Sequence, residues 1–480
     1  MTVIRPNSIS GINSITGNGG DISIFRADGT AADVTVNNIT SGIITATHYG
    51  SGANLTNLPA GNLTGTVADA RLTTVSSSKL SGALPALDGS ALTGVGASFG
   101  NSSVNTSGII TATSFVPTTG QLSHRNLIIN GAMMVAQRST SSTANGYASL
   151  DRYRNVYNGT DEAPTQSQVD VAAGTTPYTL GFRKALKITN GNQTGGAGSN
   201  DNIQIWQRIE SQYMANSGWN YLSASSFVTL QFWIKSSIAQ NFQGYLLNED
   251  SSQNTFPFET GSLTANTWTK VTKVVPGNSN LVFNNDNGAG LRVAIVAFMG
   301  TDSTSNSLSL DTWAAYNHPS NFVKDCTTTW YTTNDATLEI TGLQLEVGPV
   351  ATPFEHRSYG DELLRCQRYC YVSSHWGTAS GTGYAALGVN YTGYQTSNGN
   401  WIWVTCYLPV VMRAAPTLDT SDQAGNTGNK HSIFTSTGGS RSNNISNYHT
   451  SSYNDHFTVS NYNETKYGMQ VSGVKAEAEL

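Results

Sequence analysis

The heptapeptide SGIITAT occurs twice, at Ser41 to Thr47 and again at Ser107 to Thr113. An aromatic follows each copy within two residues, Tyr49 after the first and Phe115 after the second. Between them lie shorter units of one pattern: AGNLTGTV (Ala60 to Val67), KLSGAL (Lys79 to Leu84) and SALTGV (Ser90 to Val95). Each sets one or two aliphatic residues among Gly, Ser and Thr. A unit that small cannot bury its apolar side alone. It must stack on its neighbours or pack against identical chains. A solvated linker has no need of regularly placed Ile, Leu and Val. The region up to about Gly120 therefore reads as a thin, repetitive β-shaft.

Composition supports a β-rich chain. Only 11% of the 480 residues are charged, well under the roughly 25% of ordinary soluble domains. With a net charge of -5, 48 Gly, 21 Tyr, 15 Phe and 9 Trp, the sequence suits strands and turns rather than charge-driven disorder. No basic run offers the counterion release that nucleic acid rewards, so no nucleic-acid partner is expected. No apolar stretch approaches the ~18 residues of a membrane span, and Met1 to Ser10 lacks the pattern of a secretion signal. The expectation is synthesis in a cytoplasm without membrane insertion. Four cysteines in so long a chain do not form a disulfide framework. Cys366 and Cys370 lie one helical turn apart with no further ligands nearby, which favours buried reduced thiols over a metal site. No cofactor is expected.

From about Asn126 the pattern changes. Ala185 to Thr189, Ile203 to Ile209, Phe227 to Lys235, Thr267 to Val275, Leu291 to Phe298 and Ala336 to Leu345 are strand-like, and several alternate apolar with polar. Turn clusters such as Asn190 to Gly196 and Asn284 to Gly290 separate them. This predicts an antiparallel sandwich of about 220 residues rather than βαβ units. Asp361 to Tyr371 (DELLRCQRYCY) is the best helix candidate, with Leu364, Cys366 and Tyr369-Cys370 expected near one side. The stretch from Val372 is again β-like and dense in aromatics.

Three segments carry a resemblance. SGIITAT with GSGANLTNL (Gly50 to Leu58) resembles repeats of phage structural proteins. RNLIINGAMMVAQR (Arg125 to Arg138) followed by Asp151-Arg152-Tyr153, and FWIKS (Phe232 to Ser236), resemble the entry and central strand of a jelly roll similar to carbohydrate-binding modules. LQLEVGPVATPF (Leu343 to Phe354), Glu355-His356-Arg357 and CQRYC (Cys366 to Cys370) resemble its exit. LPVVMRAAP (Leu408 to Pro416) and AEAEL (Ala476 to Leu480) are similar to C-terminal fibre domains. Together they resemble the tail fibres of phages that infect cyanobacteria and other marine bacteria.

The resemblance implies a homotrimeric, mainly β virion component: an elongated repeat shaft, an antiparallel jelly-roll sandwich and a β-rich tip. The expected organisation is a tail-attachment segment (1–40), the shaft (41–120), the jelly roll (121–357), a helical connector (358–371) and a receptor-binding domain (372–480). The implied partners are a tail or baseplate protein at the N-terminus and a host-surface glycan at the C-terminus. The alternatives are a structural connector or collar/capsid fibre without receptor binding, and a glycan-degrading tailspike. No pair of carboxylates is set by sequence for glycoside hydrolysis, so a non-enzyme is expected.

Aromatic side chains offer large area with few torsions to freeze, which suits sugar recognition. In the last domain the candidates are Trp376, Tyr384, Tyr391, Tyr394, Trp401 and Trp403. Trp401 and Trp403 are two apart and share a strand face, which is a sugar platform, a core or a trimer seam. Tyr391 and Tyr394 sit in a Gly/Asn/Ser-rich stretch and are expected on a loop. In the sandwich Trp219, in NSGWNY (Asn216 to Tyr221), is expected to be exposed, whereas Trp206, Trp233 and Trp268 are expected in the core.

Overall fold

All six runs singled out as strands are strands in the computed structural model. The structure describes residues 124–480 apart from 251–252, 317–320, 374–390, 395–400, 435–440, 447–448 and 463–467, together with Asp28 and Thr30. The chain divides into two compact units, Met1–Ile109 and Ile110–Leu480. In the first, Asp28 accepts hydrogen bonds from the Thr30 amide (3.0 Å) and hydroxyl (2.7 Å). The shaft and the tail-attachment segment otherwise lie outside the described residues.

The second unit begins with a β-sandwich. Its strands are β1 (Ser141–Ser142), β2 (Arg154–Asn158), β3 (Thr165–Asp170), β4 (Lys184–Thr189), β5 (Asn202–Glu210), β6 (Phe227–Ser236), β7 (Asn241–Asn248), β8 (Asn254–Ser262), β9 (Thr269–Pro276), β10 (Ala289–Met299), β11 (Ala314–Ala315) and β12 (Thr337–Val347). Short helices α1 (Thr176–Thr179), α2 (Ser211–Ala215) and α3 (Thr329–Thr332) fill connections. One sheet has the order β1-β3-β4-β12-β6-β9 and the other β11-β8-β7-β10-β5-β2. All their ladders are antiparallel, and the chain crosses between sheets at most connections, the jelly-roll manner of closing a sandwich.

Alternation decides what the sandwich buries. Along β5, Ile203, Ile205 and Ile209 point into the core, as do Val293 and Ile295 of β10. On β12 the inward set switches from Leu338 and Ile340 to Leu343 and Leu345. A bulge between Thr341 and Gln344 causes the switch, with Gly342 at φ +66 inside it. A side chain at Gly342 would be strained and would meet the Phe182 ring at 2.7 Å. Gly244 on β7 is needed for closeness instead, since a Cβ there would lie 2.3 Å from the Phe258 ring.

The connector is a shorter helix than the sequence predicts. α4 spans Tyr359–Gln367 and then gives way to strand β13 (Cys370–Val372). Ser358 caps it by accepting a hydrogen bond from the Asp361 amide at 3.2 Å. Cys366, Tyr369 and Cys370 are buried and Leu364 is exposed. Ending the helix at Gln367 separates these positions, because Cys370 leaves the helix to start a ladder with β22. Cys366 and Cys370 are free buried thiols, and burial pushes both well above the usual thiol range.

The C-terminal domain adds β14 (Tyr391–Tyr394), β15 (Trp401–Tyr407), β16 (Thr417–Ser421), β17 (Lys430–Phe434), β18 (Arg441–Ser446), β19 (His449–Ser452), β20 (His456–Tyr462), β21 (Gly468–Val471) and β22 (Gly473–Glu477). They form small sheets of order β13-β22-β16, β14-β21-β17-β18 and β15-β20-β19. Ile402, Val404, Cys406, Phe457, Val459, Met469 and Val471 make a separate core.

Charged residues clamp this domain to the sandwich. Arg138 binds Glu477 at 2.8 Å and Glu479 at 3.1 Å, and Arg152 pairs with Glu479. Arg368 grips Glu210 through two hydrogen bonds of 2.7 and 2.8 Å, while Tyr369 donates to the same carboxylate at 2.5 Å. Ile129, Val135, Cys366 and Tyr369 form an apolar cluster beside Leu480. Two-pronged pairs of this kind fix orientation more than they add net stability.

Candidate functional site

Strand β15 reads WIWVTCY, and its alternation is complete. Ile402, Val404 and Cys406 enter the tip core, so the residues between them must face outward. Trp403 is 56% exposed and Tyr407 is 71% exposed, with exposed Thr405 between them. At about 3.3 Å per residue the two rings are anchored roughly 13 Å apart on one face.

The neighbouring strands extend this face. The ladder to β20 pairs Trp403 with Ser460, Thr405 with Thr458 and Tyr407 with His456. Cross-strand partners share a face, so Thr458 and His456 belong to it. The turn from β19 to β20 adds Tyr453, half exposed, whose ring stacks on His456 at 4.5 Å and 15°. The Tyr407 ring lies 5.9 Å from His456 on the other side. Backbone bonds hold the turn: Leu408 donates to Asp455 at 2.9 Å and Met412 to Asn454 at 2.7 Å. His456 Nδ1 lies 2.7 Å from Asp455 Oδ1, and this hydrogen bond holds the Asp455 carboxyl below the usual carboxylate range.

The result is a ledge of aromatic faces edged with hydroxyls, an imidazole and one ionised carboxylate. Rings present a flat apolar surface to the C–H face of a sugar, while the polar rim can bond its hydroxyls. Ring positions are fixed by the ladder, so little order is lost on binding.

The residues expected at a site are not all brought here. Trp403 is on the ledge, and Trp401 precedes it on the same strand, opposite Tyr462 in the ladder. Tyr391 and Tyr394, expected on a loop, lie on β14, which pairs Tyr391 with Val471 and Tyr394 with Gly468. The pairing with β21 draws this Gly/Asn/Ser-flanked stretch into a sheet. Trp376 and Tyr384 lie outside the described residues. Trp219 is not exposed: it is 3% accessible and packs against Tyr221 and Phe283, ring centroids 6.3 Å away in both cases. The Asn-Ser-Gly turn that suggests a loop tip instead returns the indole to the sandwich core. Trp206 joins a buried cluster with Tyr245 and Leu247, whereas Trp233 and Trp268 are half-buried.

Sequence reasoning passed over Tyr407, Asp455 and His456. The signal for Tyr407 was present, because it continues the odd-numbered positions of Trp401 and Trp403. The other two depend on which hairpin pairs with β15, which no local pattern states. Among the described residues no group of three or more His, Cys, Asp or Glu side chains gathers as a metal site. No helix among them is long and apolar enough to cross a membrane.

No family model and no curated protein matches the chain. Solved structures similar to it include the enzymatically active domain of tailspike protein 4 from bacteriophage CBA120, at 10% identity and TM-score 0.24. That match covers 46% of this chain and 21% of that one, so the chain spans about a fifth of the tailspike domain. A CBM4 structure is 12% identical over 46% of this chain and 98% of that one, with TM-score 0.24. A putative sugar-binding protein from Bacteroides thetaiotaomicron is 15% identical over 48% and 100%, with TM-score 0.22.

Proposed function

We propose that the protein is a non-catalytic phage tail fibre, a homotrimer in the virion, whose C-terminal domain attaches to a host-surface glycan through the β15 ledge. The observation that carries this reading is the outward row of Trp403, Tyr407, His456 and Tyr453 beside β15 and β20, whose other sides pack into the tip core. Trp403 and Tyr407 are exposed while the alternate residues of the same strand fill the tip core. Such rings are a cost in solubility unless they meet a ligand. The fibre assignment is supported by the duplicated SGIITAT units and by the ordered motifs from Arg125 to Leu480.

Asp455 is the carboxylate that the described residues place on the ledge, and glycoside hydrolysis calls for two flanking one bond. The ledge is open and flat, so each contact is weak. Three copies on one fibre convert weak contacts into attachment, since linked sites can gain 10²–10⁴-fold in avidity.

The test is adsorption of phage or purified fibre to host cells. Trp403→Ala with Tyr407→Ala is expected to lower adsorption by about tenfold or more, the factor that roughly 1.4 kcal/mol represents. The trimer mass by light scattering should not change. Undiminished adsorption of the double variant would overturn the ledge as the receptor site. A wild-type chain that stays monomeric would overturn the fibre itself.

A further inference from the structure

A cleft of about 850 Å³ opens where the sandwich, α4 and the tip domain meet. That is within the roughly 300–1,000 Å³ range of ligand pockets. None of the ledge residues lines it. Its wall is rich in cations: Arg125, Arg357, Arg365 and Arg368, with His124 and His356 beside them. Two carboxylates, Glu355 and Asp361, share the wall, and Leu127, Tyr213 and Val347 supply apolar patches.

These charges are not all matched. Arg368 grips Glu210, and Arg357 reaches Glu355 at 3.1 Å and Glu362 at 3.4 Å. Glu355 also accepts from the Asn126 amide at 2.9 Å. Asp361 accepts from the Ser358 hydroxyl at 2.7 Å rather than from Arg365, one helical turn on. Arg125 and Arg365 are left with neutral partners. Arg125 donates to the Thr352 hydroxyl at 2.7 Å and the Pro353 carbonyl at 3.2 Å, and its buried Nε has no acceptor. An Arg365 nitrogen lies 2.9 Å from His124 Nδ1. A guanidinium only donates, so Nδ1 accepts and the ring N–H stands on Nε2. Two permanent positive charges thus stand in the wall of one cleft without a carboxylate partner among the described residues.

We infer that this cleft binds an acidic saccharide, with Arg365 and Arg125 taking the oxyanion of a uronate carboxylate or a sulfate ester. A guanidinium fork matches the paired oxygens of such a group. Tyr213, 41% exposed, offers a ring to the carbon skeleton beside the anion. The ledge has the reverse character, since its ionised Asp455 repels an anion. The two surfaces therefore suit different sugars, neutral on the ledge and acidic in the cleft. The chain as a whole carries a net charge of -5, so the attraction is local to the cleft. The inference depends on neither the ledge nor the fibre assignment.

Calorimetric titration of the full chain tests it with a galacturonate trisaccharide, its neutral methyl ester and a sulfated galactose trisaccharide. At least one acid should bind about tenfold or more tightly than the ester, as charge-assisted hydrogen bonds allow. Which acid binds tells carboxylate from sulfate. Arg365→Gln should weaken that acid by about tenfold or more and leave the ester unchanged. Added salt should likewise weaken the acid alone, because the charges are partly open to solvent. Thermal unfolding reports whether the variant is folded, and where it is not, the salt series on the wild type decides. The inference is overturned if neither acid binds, or if acid and ester bind alike. It is equally overturned if folded Arg365→Gln holds the acid as tightly as the wild type, or if salt leaves acid binding unchanged.

Discussion

The tryptophans of the sandwich and Trp403 of the tip stand in opposite surroundings. In the sandwich Trp206, Trp219, Trp313 and Trp330 are buried, and Trp233 and Trp268 are half-buried. In the tip, Trp403 stands more than half exposed on a strand whose other face is sealed. The sandwich has two six-stranded sheets to bring together, and large rings fill the space between them. The tip's small sheets close over a core that is mainly aliphatic, with Phe457 its one buried aromatic among the described residues. Its rings are therefore available for a surface role. The same residue type is buried in one domain and exposed in the other.

Substitution should separate these roles most sharply at Trp330 and Trp403. Trp330 is fully buried against Phe242, and its indole N–H donates to Thr337 O at 3.0 Å. Trp330→Ala is expected to cost about 3–5 kcal/mol in urea unfolding, the range for a large aromatic removed from a core. Trp403→Ala should change stability by about 0.5 kcal/mol, as surface substitutions do. Equal losses at the two positions would erase the contrast and return Trp403 to a structural role.

The seam between the domains is neither apolar core nor open ledge, and pH should reveal it. Asp151 is wholly buried beside Arg138, 3.5 Å away. Burial raises its carboxyl from 3.8 to about 6, with Arg138 pulling in the other direction. The folded chain therefore holds this proton over a pH range where the unfolded chain has released it. Stability contributed by protonated Asp151 is lost as pH rises from about 4 to 6. Glu210 behaves oppositely. Burial raises it, but hydrogen bonds from Arg368 and Tyr369 outweigh that and hold it below 4.5, so its contribution is present at neutral pH and lost on acidification. Asp151→Asn should become more stable relative to wild type by about 2–3 kcal/mol between pH 4 and 7. Thermal unfolding at both pH values measures it. A difference that does not vary with pH would remove Asp151 as the titrating group.

How much of this was legible depended on whether the signal was local. The strands of the sandwich were, because a buried face repeats every second residue and shows in the sequence itself. Strand β8 was less so: Pro257 interrupts NTFPFETGS, and only its pairing with β7 accommodates it. Among the described residues, the motifs at the sandwich entry, its exit and the C-terminus help build the seam. Asn130 ties Val135 and Asp151 together, Arg138 and Arg152 reach Glu477 and Glu479, and Arg357 binds Glu355 and Glu362. Nothing local announces that AEAEL will meet Arg138, because 339 residues separate Arg138 from Glu477. The ledge was half legible. The spacing of Trp401 and Trp403 set a shared face, but which face met water depended on the strands that closed the tip core.

A smaller effect than at Trp330 or Asp151 is expected at the helix that joins the two domains. Ser358 starts α4 with an extended backbone, accepts from the Asp361 amide and donates to the Asp361 carboxylate at 2.7 Å. Asp361 and Glu362 occupy the first turn, where the helix dipole favours negative charge. Glu362 has a second task, since it accepts from the Asn130 amide at 2.5 Å and thereby fixes the helix to the sandwich entry. Ser358→Ala removes the cap without touching either domain's core, and should cost about 1 kcal/mol. If α4 couples the domains, that loss should appear in a single unfolding transition shared by sandwich and tip. If it is only a spacer, the sandwich should unfold as in the wild type and the tip alone should respond. Calorimetry of this one variant thus decides whether two regions that use their aromatics so differently still fold as one cooperative unit.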